Sequence, residues 1–230
     1  MPFYYYWDPT YVLVLLGAVI CAIASWNVSH TYKKFSAMHS RRRITADAVA
    51  ATMLRNAGIT DVRIERVSGN LTDHYSPSEK VLRLSDTVYG STSVAAIGVA
   101  AHECGHAIQH KVGYAPMKLR SASVPVANIG SMLSWPLIVI GLLLGSTGLA
   151  QFGVLLFTAV VFFQLITLPV EFNASRRAMT ILEESGLLYG EEVPAARKVL
   201  SAAAMTYVAA LFSSLLQLLR LFLLTRRNND

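Results

Sequence analysis

Apolar positions along the chain follow two regimes. Four runs are apolar almost without interruption: Tyr11 to Trp26, Val124 to Leu144, Leu149 to Val170 and Ala202 to Leu224. A helix that crosses a bilayer needs about 20 mainly apolar residues, so the second and third runs qualify directly. The first is short by itself, but Tyr4, Tyr5, Tyr6 and Trp7 precede it as an interfacial aromatic belt. The fourth carries Arg220 inside it and is the least regular. Elsewhere the period changes. Residues 44–58 read as a helix, with Thr45 at its N-cap and Gly58 past its end. TDVRIERV alternates Val62 and Ile64 with Arg63 and Glu65, which predicts a strand. Ser68, Gly69 and Asn70 make a turn, and LTDHY is a second strand. Ser76 to Lys80, containing Pro77, closes a hairpin into VLRLS. Val94 to Gln109 is rich in Ala and Gly with helical period. The pattern predicts a mainly α membrane protein, with about four transmembrane helices and a small α+β unit.

Composition supports that division. The chain of 230 residues is 53% hydrophobic and only 15% charged, against about 25% charged in ordinary soluble domains. Intrinsic disorder, which needs low hydrophobicity and high charge, is excluded. Two cysteines cannot build a disulfide framework, and Cys21 lies inside an apolar run. The net charge of +6 suggests topology before nucleic acid, and no nucleic-acid partner is expected. No Lys or Arg precedes Lys33, whereas a secretory signal starts with a basic region. The first run therefore reads as an uncleaved anchor.

Residues 27–123 and 171–201 hold 17 of the 20 Lys and Arg, and the hairpin loop 145–148 holds none. That asymmetry places both basic segments in the cytoplasm of a multi-pass cell-membrane protein. The expected layout is an anchor over 1–26, a cytoplasmic part over 27–122 and a transmembrane hairpin over 123–170. A cytoplasmic helix over 171–201 and a C-terminal membrane helix and tail over 202–230 complete it. Arg226 and Arg227 oppose this layout, because a spanning fourth run would carry them outside.

The chemistry lies in VAAHECGHAIQH, where His102, Glu103 and His106 form H-E-x-x-H. Residues four apart share one helix face, so both imidazoles can reach one Zn²⁺. Glu103, one position on, is placed to take a proton from water at the metal without ligating. Cys104 points to the opposite face and reads as a small core residue. His110 lies about 12 Å along the axis from His102, too far to share its ion. A catalytic zinc keeps three protein ligands, so a third comes from elsewhere. The candidates are Glu171, Asp86, His74 and the pairs Glu183/Glu184 and Glu191/Glu192. Glu171 is the best placed. It stands at the end of an apolar run, where a lone carboxylate is costly, on a helix whose Ala174 and Ala178 face could meet Ala101 and Gly105. The paired glutamates are expected to be solvated, with Glu191/Glu192 in the first turn of a helix starting at Pro194.

Three segments, LTDHYSPSEKVLRLS, VAAHECGHAIQH followed by GYAPMKLRS, and EFNASRRAMTILEE, resemble the YugP-like membrane zinc metallopeptidases. These are similar in plan to the HtpX and CAAX prenyl protease type. The resemblance implies a zincin-like cytoplasmic unit and a zinc-dependent endopeptidase with one Zn²⁺ per chain. His102, His106 and Glu171 would be its ligands and Glu103 its catalytic base, activating the zinc-bound water. A peptide or membrane protein would be its substrate. In the HtpX-like pattern an Asp follows the glutamate by four residues; here Ser175 stands there, so Ser175, Asn173 or another residue would support the ligand. Zincins receive substrate along a strand before the active helix, and VLRLS is the candidate. Tyr207, His74 and Arg176 are candidates for stabilising the tetrahedral intermediate, with Tyr207 equally plausible in the core. The alternatives are a site-2-type intramembrane protease and a non-catalytic zinc-binding membrane scaffold. The first would place H-E-x-x-H within a span and draw an Asp from a later one.

Overall fold

A computed structural model describes residues 8–227. The aromatic cluster Tyr4, Tyr5, Tyr6 and Trp7 and the side chains of Arg226 and Arg227 lie outside the described residues. The chain runs α1 (Tyr11–Ser36), α2 (Ala46–Asn56), β1 (Arg63–Val67), β2 (His74–Ser76) and β3 (Val81–Ser85). It continues through α3 (Val94–Lys111), α4 (Ala115–Leu143), α5 (Thr147–Glu184) and α6 (Glu192–Arg227). Helix makes up 72% of it.

Helices α1, α4, α5 and α6 are each long and apolar enough to cross a membrane. Each of these helices is longer than its apolar run, extending into polar sequence at one or both ends, although α4 stops with its run ahead of Gly145 at φ 64°. The run ending at Trp26 thus continues as helix through the polar residues to Ser36.

The chain divides into two compact units. One comprises Arg120–Ile166 with the described parts of Met1–Ser25 and Thr206–Asp230. Its helices expose Leu15, Ile23, Met132, Leu143, Leu155 and Phe162, each more than half accessible. Continuous apolar surface of this kind is covered by lipid. Arg220, the charge that interrupts the fourth run, is satisfied within the same unit. Its Nη2 lies 3.7 Å from Asp8 Oδ2, its Nε donates to Thr10 Oγ1 at 3.2 Å, and its guanidinium sits 4.3 Å above the Tyr11 ring. A charge among apolar residues is tolerated when paired in this way. Tyr207 also belongs to this unit and is 40% exposed, which does not fit the core alternative.

The other unit, Trp26–Leu119 with Thr167–Met205, holds the sheet and α3. The strand order is β1-β3-β2, with β1 parallel and β2 antiparallel to β3. The expected β2–β3 hairpin is present. Its first strand is shorter than LTDHY, because Leu71 turns at φ 56° and Asp73 accepts from Ser85 N (2.8 Å) and Oγ (2.9 Å). Central β3 is hydrogen-bonded on both edges, so VLRLS has no free edge for a substrate strand. Val81, Leu82 and Leu84 are fully buried. Leu82 and Leu84 pack with Val49 and Met53 of α2, Ile97 and Ala100 of α3, and Leu182 of α5. Each fully buried Leu, Ile or Met contributes about 1.5–3 kcal/mol. Ser93 caps α3, accepting from Ala96 N at 3.2 Å.

Candidate metal centre

Helix α3 is sheathed by core, so its polar residues are held rather than solvated. His102, Glu103, His106 and Gln109 stand at i, i+1, i+4 and i+7, and the last three are nearly inaccessible. Gly105 lets a second helix approach: a Cβ there would lie 2.5 Å from the carbonyl oxygen of Ala174. Ala101, Ala174 and Ala178 are fully buried. The expected small-residue contact between α3 and α5 is therefore in place, and it brings Glu171 over the histidine pair.

Glu171 Oε2 lies 3.2 Å from His102 Nε2 and 3.6 Å from His106 Nε2. The three potential ligand atoms fall within 4.8 Å of one another. Ligands about 2.0–2.1 Å from a tetrahedral zinc stand ~3.3 Å apart, close to the two separations found. Glu171 is 2% exposed, so it neither snorkels nor is solvated. The two imidazoles meet edge to face, with centroids 4.7 Å apart.

Both histidines are held through their other nitrogen. His106 Nδ1 lies 3.0 Å from Gln109 Oε1. The Gln109 amide donates to Val170 O at 2.8 Å and to Asn173 Oδ1 at 3.0 Å. Those two bonds use both amide hydrogens, so Oε1 faces the ring and Nδ1 is the donor. The Nε2 lone pair then points to the ligand cluster. His102 Nδ1 lies 3.0 Å from Ser175 Oγ, in the place where the related pattern carries Asp. Arg177 Nε donates to Asn173 Oδ1 at 2.8 Å and anchors the far end of the network. Burial disfavours the charged form of His106, but the nearby negative charges of Glu171 and Glu103 outweigh it and raise its pKa. The donor set and the surrounding charge therefore fit a divalent cation.

Other candidates are engaged elsewhere. His110 is exposed and pairs with the Tyr75 hydroxyl at 2.9 Å. Asp86 accepts from Arg66 Nε at 2.7 Å and Gly69 N at 3.0 Å. His74 Nδ1 lies 2.8 Å from Thr72 O. Glu183 is solvated as expected, 3.8 Å from Arg197. Glu192 is not solvated: α6 starts there rather than at Pro194, and its carboxylate accepts from Arg41 N (2.6 Å) and Tyr189 N (2.9 Å) while 2% exposed. Arg176 is exposed on α5. Cys104 is fully buried, in keeping with a core role, and burial pushes its thiol pKa up. The sequence reading missed Gln109. Its position three residues after His106, on the same face, was the available signal.

A helix-borne His-x3-His pair joined by a buried carboxylate from a second helix is a group able to hold a metal ion, with the donor types of metallopeptidase zinc sites. The chain belongs to a family described as "Putative neutral zinc metallopeptidase", which matches residues 10–226. It is similar to "Putative membrane protease YugP" of Bacillus subtilis (strain 168), with 45% identity over 207 residues, 90% of this chain and 92% of that protein. No solved structure matches it. The chain is thus a multi-pass membrane member of a zinc metallopeptidase family.

Proposed function

We propose that the protein is a membrane-embedded endopeptidase that hydrolyses peptide bonds at the cytoplasmic membrane face. His102, His106 and Glu171 hold one zinc ion per chain, and Glu103 is the general base. The observation that carries this reading is the convergence of the two Nε2 atoms and Glu171 Oε2 while both Nδ1 atoms are engaged by other partners. When bound, zinc supplies Lewis acidity toward a peptide carbonyl and lowers the pKa of water toward ~7. Glu103 takes a proton from the attacking water onto its carboxylate and returns it to the leaving amine nitrogen, so the proton stays within the site. Ser175 and Gln109 keep the two ring planes fixed through this exchange.

Strand β2 takes over the role expected of β3. It is an edge strand, antiparallel to β3, and packs beside α3. Its unpaired edge suits an extended substrate backbone. Helix α3 is not among the four candidate spans, which argues against a site-2-type arrangement with H-E-x-x-H inside a span.

The test is Glu103→Gln assayed on casein. The variant should keep about one zinc per chain and lose at least ~10²-fold in rate. Unchanged activity with metal retained would overturn the mechanism.

A further inference from the structure

A cavity of about 540 Å³ opens between the C-terminal half of α1 and the first turns of α6, within the unit that holds the sheet. Lys34, Arg197 and Lys198 line it, and no Asp or Glu does so among the described residues. Arg197 makes a loose pair with Glu183 at 3.8 Å, with both side chains about 60% exposed; such solvated pairs hold their partners weakly. The Lys34 ammonium rests 5.5 Å from the Phe35 ring.

The lining is graded in one direction on both helices. Along α1 it passes from Asn27 and His30 to Lys34, away from the apolar stretch. Along α6 it passes from Arg197 and Lys198 to Ala202 and Met205, toward the apolar stretch. The two helices run antiparallel, with Thr10 beside Arg220 and Cys21 beside Ala209, so the cationic stretches of the two walls lie toward the same end of the cavity. Trp26, 67% exposed and stacked on His30 with centroids 5.2 Å apart, sits just beyond Asn27. An exposed Trp at the end of an apolar helical stretch marks the bilayer interface.

We propose that this cavity binds the phosphate-bearing headgroup of an anionic membrane phospholipid. Lys34, Arg197 and Lys198 would meet the phosphate, and Ala202 and Met205 the start of an acyl chain. The chemistry is that of basic pockets between membrane helices, where each cation adds to the attraction of anionic headgroups. The site is separate from the metal centre and does not depend on the peptidase reading.

Native mass spectrometry of the full chain in a neutral detergent tests it, with short-chain phosphatidylglycerol, short-chain phosphatidylcholine and inorganic phosphate as probes. One phosphatidylglycerol should be retained at least ~10-fold more tightly than phosphatidylcholine. The triple variant Lys34→Gln, Arg197→Gln, Lys198→Gln should lose that preference. Equal charge removal at exposed Arg41, Arg43 and Arg55 should leave it intact, as should Lys34→Arg with Lys198→Arg. Equal loss in both triple variants would mean diffuse surface attraction and overturn the site. Phosphatidylcholine binding as tight, or inorganic phosphate binding as tight as phosphatidylglycerol, would overturn the lipid assignment. If the triple variant does not elute as a folded species, the absence of any phosphatidylglycerol preference in the unmodified chain remains sufficient to reject it.

Discussion

Three residues that differ in kind test the metal centre at the scale of single side chains. In the proposed centre Glu171 would supply a ligand atom and Gln109 would hold a ligand in place, whereas His110 lies on the same helix but bonds to Tyr75. A graded outcome follows for metal retention, measured by metal analysis and chelator competition. Glu171→Ala should purify largely metal-free. Gln109→Leu should weaken zinc by about 10–100-fold, the usual effect of losing a group that orients a ligand. His110→Ala should keep its zinc. Stoichiometric zinc in Glu171→Ala would move the third ligand elsewhere. His102, Glu103 and His106 were legible in the sequence because one helix fixes their spacing. Gln109 was not, because an amide is unremarkable until its two acceptors on α5 are seen. Cys104 gives a pH test. Its pKa is raised by burial, so the folded state keeps a proton that the unfolded chain releases above about pH 8.5. Stability from this thiol is intact below that pH and declines above it. In a Cys21→Ser variant, Cys104 should resist iodoacetamide at about pH 9 until denaturant is added. Rapid labelling of the native protein would show the helix face to be open.

Between helices, the close approach of α3 and α5 decides whether the site can assemble. Gly105 has ordinary helical backbone, so Ala there would gain up to about 1 kcal/mol of helix propensity. Its Cβ would, however, meet the Ala174 carbonyl carbon and oxygen at 3.0 and 2.5 Å. Backbone must then shift, and overpacking of this kind costs about 1–3 kcal/mol. Gly105→Ala should therefore lower both the thermal midpoint and zinc affinity; a stabilised variant with unchanged zinc would contradict the contact. The small-residue pattern made this meeting of helices legible beforehand. The parallel pairing of β1 with β3 was not, since register across the intervening β2 depends on contacts with α2 and α3 that periodicity does not encode. For the same reason VLRLS read as a receptive strand although it is central. The burial of Glu192 escaped notice because its partners, the backbone amides of Arg41 and Tyr189, leave no trace in side-chain identity.

Across the whole molecule, the orientation in the membrane rests on charge and helix length. Helix α5 has 38 residues, or about 57 Å, well beyond a hydrocarbon core of about 30 Å. The 24 residue-to-residue steps from Thr147 to Glu171 rise about 36 Å, enough to carry Glu171 past the core if the span starts at the hairpin. The pairing of Arg220 with Asp8 and Tyr11 removes the main objection to a spanning α6. Four crossings leave residues 27–123 and 171–201 on one side, with 17 of the 20 Lys and Arg. The proposed cytoplasmic placement of that side, and of the metal centre, rests on the positive-inside rule. Ser78, exposed in the β2–β3 turn, reports directly on this. Made in a background with Cys21 and Cys104 replaced, Ser78→Cys should resist a membrane-impermeant maleimide in intact cells and react after lysis. Asn229→Cys in the same background should react in intact cells if α6 spans. Labelling of Ser78→Cys in intact cells would invert the topology and place the peptidase site outside. Protection of both positions until lysis would keep the site cytoplasmic but return the end of α6, with Arg226 and Arg227, to the same side.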